Sequence, residues 1–93
     1  MYSYNLRVYY EDTDSGGVVY YANYLKFIER ARTEFIHQLG FTITSLIRDY
    51  DRLFLVSKIE CDYIQSCKLE DDLNVNSKVL SVEKASFELE QNI

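Results

Sequence analysis

Proline and tryptophan are absent from this 93-residue chain, and glycine occurs three times, cysteine twice and histidine once. Without proline and with so few glycines there is no stretch fit to be a linker, and 93 residues leave room for a single domain. Cys61 and Cys67 are spaced C-x5-C. That spacing fits neither a zinc knuckle nor a C-x-x-C redox pair, so both read as ordinary strand residues. No apolar run approaches the roughly 18 residues of a membrane span. The opening MYSYNLRVYYED has neither the basic nor the apolar region of a secretory leader, so the chain is expected to be soluble and cytoplasmic. Basic residues are scarce too: 10 Lys and Arg face 15 Asp and Glu, a formal charge of −5 and a pI near 4.7. Nucleic acid needs clustered positive charge and is excluded as an expected partner. There is no repeat or low-complexity stretch.

Apolar residues make up 47% of the chain. That is needed here, because a domain this small buries only on the order of two-thirds of its unfolded surface. Nine tyrosines are present, seven of them within the first 24 residues. Residues 4–10, YNLRVYY, alternate with Leu6, Val8 and Tyr10 on one side, which predicts a first strand. The following EDTDSGG breaks the pattern and reads as a loop, where Gly16 and Gly17 permit backbone shapes closed to other residues. From about Ala22 to Leu39, Tyr24, Ile28, Ala31, Phe35 and Leu39 recur at helical spacing, and Gly40 supplies the C-terminal stop. Residues 42–52 are ambiguous, with a further helical turn as one reading. LFLVSKIECDYIQ (53–65) is rich in β-branched and aromatic residues and predicts a long or bent second strand. Alternation predicts a third strand over 73–83 and a fourth over 87–93, with Lys84, Ala85 and Ser86 as the turn between them. The order β-α-β-β-β implies an α+β fold, a largely antiparallel sheet carrying one long helix.

The chemistry concentrates in YYEDTDSGGVVYYANY, where two carboxylates leave a strand, a glycine pair follows and a helix opens within a few residues. Asp12, Asp14 and Gly17 match the first, third and sixth places of a calcium loop. Gly16 at the fifth and Asn23 at the twelfth, where a bidentate Glu is required, exclude it. A D-x-D phosphatase needs a far longer doubly wound domain. A Ser-His or Cys-His nucleophile would need a histidine nearby, and His37, the single one, lies at the far end of the helix. Two-carboxylate glycoside chemistry stays formally open for Asp12 and Asp14, with nothing to form a sugar cleft. A carboxylate beside a helix N-terminus suits acyl transfer, because the unpaired N–H groups there can hold an oxyanion. The plainer alternative is that Asp12 and Asp14 only cap loop and helix, and the pattern leaves both open.

RVYYEDTDSGGVVYYANYLKFIERAR (7–32) closely resembles the signature of the 4-hydroxybenzoyl-CoA thioesterase family, nearest to its YbgC-like branch of acyl-CoA thioesterases associated with the Tol-Pal system. The resemblance implies a hotdog fold, an antiparallel sheet wrapped around a central helix. It also implies hydrolysis of an acyl-CoA thioester without metal or organic cofactor. By the same resemblance the catalytic carboxylate falls on Asp14, as nucleophile or general base. The N–H that polarises the thioester belongs to Tyr21, and Tyr10 matches a tyrosine implicated in this branch. Gly17, Val18 and Tyr24 fall on the substrate side, and Asp12 fixes the loop. Tyr9, Tyr20 and Tyr24 also have a plainer reading as core or interface aromatics.

Two departures stand out. The branch has V-V-Y-H-A-N-Y where this chain has V-V-Y-Y-A-N-Y, so a phenol replaces an imidazole at position 21. Family domains also continue past the equivalent of Ile93 with a strand lying between the fourth and second. A hotdog domain over 1–93 is therefore expected to be shortened at its C-terminus, leaving two unpaired edges. The leading expectation is an acyl-CoA thioesterase forming a homodimer or homotetramer. The alternative is a weak or inactive hotdog module acting as a binding or assembly partner. A hotdog dehydratase would need a histidine base that His37 is misplaced to supply.

Overall fold

The computed structural model describes residues 1–83 and 86–93. Of the turn anticipated at 84–86, Lys84 and Ala85 lie outside the described residues. Three strands, β1 (Tyr2–Arg7), β2 (Asp72–Val82) and β3 (Phe87–Asn92), form one antiparallel sheet in the order β1-β2-β3. Between β1 and β2 the chain makes a single 3-10 turn (Tyr10–Asp12) and two helices, α1 (Asn23–Gln38) and α2 (Ile43–Tyr50). The architecture is α+β, with α1 packed across β1 and β2.

β1 runs opposite β2 with Tyr2 facing Ser77 and Arg7 facing Asp72, and the Arg7 Nε to Asp72 Oδ1 ion pair of 3.0 Å closes its exposed end. β1 ends three residues before the alternation suggested. Val8 still exchanges backbone bonds with Asp71 and Glu70, and the chain then curls into the 3-10 turn. Tyr10 accordingly belongs to that turn and not to the strand, with its side chain 83% exposed.

Val8, Val19 and Phe27 are the centre of the core, flanked by Leu6, Tyr24, Cys67 and Leu73. Ala31 and Val75 are also buried. The helical stripe therefore includes Phe27, which the spacing passed over, and loses Leu39, which caps the helix and is 64% exposed. Gly40 follows with φ +96°, a conformation that glycine adopts without steric cost. The ambiguous segment resolves as α2, where Thr42 Oγ1 accepts the Ser45 N–H at 2.9 Å and Ser45 Oγ accepts the Thr42 N–H. A polar strut ties β3 to α1: the Gln91 side-chain amide donates to the Ile28 carbonyl at 2.9 Å and to the buried Ser77 hydroxyl at 3.0 Å.

The second anticipated strand is not formed. Residues 53–65 carry no regular secondary structure and are exposed throughout. β-propensity describes how side chains fit a pleated surface, and a strand exists only when a neighbour completes its ladder. β1 and β3 are the edges of the sheet, and no backbone ladder joins 53–65 to either of them among the described residues.

Candidate active site

The loop between β1 and α1 owes its shape to two aspartates used in different ways. Asp12 is buried, 8% exposed, and its Oδ2 accepts the Tyr9 N–H at 2.9 Å. Its carbonyl oxygen accepts two further bonds, from the Tyr20 N–H at 3.0 Å and the Asn23 side-chain amide at 2.9 Å. Asp12 thus binds the strand exit to the helix entrance.

Asp14 opens a tight hairpin. Its N–H donates to the Val18 carbonyl at 2.9 Å, the Gly17 N–H returns to the Asp14 carbonyl at 3.1 Å, and Gly17 sits at φ +80°. A three-residue connection with glycine in the left-handed region is a favoured hairpin loop. The Asp14 side chain accepts the Gly16 N–H on Oδ1 at 2.8 Å, a local turn bond typical of aspartate. A methyl group on Gly16 would lie 3.1 Å from that same oxygen, so glycine keeps the contact open. Asp14 Oδ2 has no hydrogen bond or ion pair among the described residues, and the side chain is exposed. It faces a shallow depression of about 450 Å³ lined by Tyr10, Thr13, Asp14, Ser15, Gly17 and Leu69.

The structure therefore brings Tyr10, Asp14 and Gly17 to one surface. Val18, Tyr21 and Tyr24 lie outside that depression. Val18 forms an isolated bridge with Lys68. Tyr24 turns inward, its ring edge-on to Phe27, and its hydroxyl accepts the Cys67 N–H at 3.0 Å. Burial pushes the Tyr24 phenol above its ordinary value. Tyr21 immediately precedes Ala22, the N-cap of α1, and the Tyr21 N–H has no acceptor among the described residues. Its ring lies tilted by 49° against Tyr20 at 4.9 Å and meets Tyr63 edge-on at 6.0 Å. The adjacent Tyr21 phenol raises the Tyr20 phenol above its ordinary value.

Three residues of this region escaped the sequence reading. Asn23 had a visible signal, a side-chain amide at a helix start, where such residues bond to nearby backbone. Leu69 and Tyr63 had none, because 69 and 63 reach the loop only through the tertiary fold. Among the described residues, no group of three His, Cys, Asp or Glu side chains is placed to hold a metal ion.

Residues 16–93 match the family model of the thioesterase superfamily. The chain belongs to the thioesterase superfamily. The acyl-CoA thioesterase YbgC of Haemophilus influenzae is 46% identical over 92 residues, covering 99% of this chain and 68% of that protein. Among solved structures, a probable thioesterase from Bartonella henselae superposes with a TM-score of 0.92 at 34% identity, over 97% of this chain and 75% of that one. A gentisyl-coenzyme A thioesterase follows with a TM-score of 0.86 at 30% identity, over 96% and 72%. The chain is a YbgC-like thioesterase with the hotdog fold. Both whole-chain likenesses extend across 53–65, the segment that carries no strand here.

Proposed function

We propose that this thioesterase hydrolyses acyl-CoA, releasing CoA and the free acid, with Asp14 as nucleophile or general base. The observation that carries the reading is the state of the Asp14 carboxylate: one oxygen is held by the Gly16 N–H, the other has no partner among the described residues, and the group faces an open depression shared with Tyr10 and Gly17. A carboxylate fixed through one oxygen keeps its orientation while the other attacks the thioester carbon or takes a proton from water. The Tyr21 N–H supplies the donor for the carbonyl oxygen as it becomes negative, assisted by the positive end of the α1 dipole. The Haemophilus relative is named an acyl-CoA thioesterase and the other a gentisyl-coenzyme A thioesterase, which supports a CoA thioester as substrate. The reading includes a cytoplasmic location, which a CoA thioester substrate supports. No described helix is long and apolar enough to cross a membrane.

The reading includes self-association into a homodimer or homotetramer. Its support is the exposed apolar series Leu53, Phe54, Leu55, Val56 and Ile59, a patch of the kind that folded monomers cover. Sedimentation as a well-folded monomer at micromolar concentration overturns that part alone.

The test of the chemistry is thiol release from aliphatic and aromatic acyl-CoAs by the chain and by Asp14→Asn, which keeps the shape and removes the charge. The expected result is a loss of roughly 10²- to 10⁴-fold, the range of a positioned acid–base group. Equal activity in both proteins overturns the role of Asp14. Activity in neither supports the inactive binding module instead.

A further inference from the structure

Resting on that reading, we propose that Asn23 is a positioning residue of the site, setting the helix entrance that bears the Tyr21 N–H against the loop that bears Asp14. Asn23 is the first residue of α1, and its side-chain amide reaches back across eleven positions to the Asp12 carbonyl at 2.9 Å. That oxygen already accepts the Tyr20 N–H at 3.0 Å, and the Asn23 N–H donates to the Tyr20 carbonyl at 2.8 Å. Asn23 and Tyr20 are thereby coupled to each other and both to Asp12, which is buried and bonded through its carboxylate to the Tyr9 N–H. Asp14 is two residues along from the shared carbonyl and Tyr21 is one residue along from Tyr20. The two reacting groups thus hang from opposite sides of one three-membered hydrogen-bonded joint.

Attack on a thioester requires the carboxylate and the oxyanion donor to hold a fixed relative geometry, and a misplacement of about 1 Å costs on the order of 100-fold in rate. The joint restrains that geometry through the backbone. Asn23 is suited to it because its amide donates, whereas the carbonyl it meets only accepts. An aspartate at 23 would favour the helix N-terminus electrostatically yet could not donate to Asp12.

This separates positioning from folding. Asn23→Ala and Asn23→Asp are compared with the unaltered chain by thiol release from butyryl-CoA and benzoyl-CoA, by thermal unfolding, and by exchange of the Tyr20 amide in NMR. The expected result is a 10- to 100-fold fall in kcat in both variants with KM within about twofold. Tm should be at least unchanged in Asn23→Asp, and the Tyr20 amide should exchange faster in both. Wild-type kcat in either variant overturns the proposal, as does a kcat loss in Asn23→Ala that Asn23→Asp recovers along with Tm. If the unaltered chain hydrolyses neither ester, the acyl-CoA reading fails, and if Asp14→Asn hydrolyses them equally well, the role of Asp14 fails. The amide exchange then still decides the joint, and unchanged exchange in Asn23→Ala overturns it.

Discussion

The loop over 9–22 and the segment over 53–65 invert what their compositions suggest. The first carries the acidic, small and glycine run EDTDSGG between a tyrosine pair and VVYY, with no helical or strand period, yet nearly every residue of it gives or accepts a defined bond, through Asp12, Asp14, Gly17 and the Asn23 amide. The second has the apolar and β-branched content of a strand, yet it forms no ladder and Ile64 is 93% exposed. Local polar groups define a conformation by themselves, because donor and acceptor lie within a few residues of each other. Hydrophobic content does so only where a partner surface exists to receive it.

The sharpest way to break this contrast is to remove the centre of the loop. Asp12→Ala leaves the Tyr9 N–H without its acceptor and is expected to cost about 1–3 kcal/mol. In a domain of this size that lowers Tm by roughly 4–8 °C for each kcal/mol. Ile64→Ser is expected to stay within about 0.5 kcal/mol of the unaltered chain. Thermal unfolding of both variants decides it, and equal losses would mean that the segment packs as firmly as the loop. A smaller effect follows from Gly17→Ala: at φ +80° a side chain costs about 1–2 kcal/mol, read as a shift in denaturation midpoint, and no shift would mean that the hairpin relaxes freely.

Tyr24 gives a pH arm to the same comparison. Burial raises its phenol, so the folded state favours the neutral form. The associated stability is fully present below the ordinary phenol value of about 10 and is lost as pH rises through the raised value. Tyr24→Phe should flatten the fall of Tm above that pH while lowering Tm at neutral pH, where the bond to the Cys67 N–H is missing. An unchanged alkaline slope would place the titration elsewhere. The smallest effect is expected for Tyr21→Phe in the thiol-release assay, because the proposed donor is the backbone N–H, which the substitution retains. A collapse in rate would show that the hydroxyl, which meets Tyr20, takes part.

The helix over 22–39 was legible because an amphipathic stripe reports one buried face, and both the α+β class and the two alternating strands near the C-terminus followed from the same periodicity argument. Phe27 was passed over because the stripe was counted from Tyr24 and Ile28 on either side of it, although it forms the core with Val8 and Val19. Tyr10 was placed on a strand because alternation continues through it. The Asp12 carboxylate instead draws the Tyr9 N–H into a turn, a competition that periodicity does not register. In the candidate site, the carboxylate, the glycine pair and the helix start were readable as a contiguous motif, whereas Leu69 and Tyr63 come to it from across the chain.

By itself the sequence determined what short-range chemistry determines: a loop that uses Gly16 and Gly17, a helix beginning near Ala22 and a carboxylate at Asp14 a few residues before it. Only the tertiary structure decided which aspartate is buried, which tyrosine turns inward and whether 53–65 becomes a strand. Those outcomes depend on the free energy of surfaces and ladders supplied by residues far away in the chain, and a local pattern carries no record of whether such a partner is there.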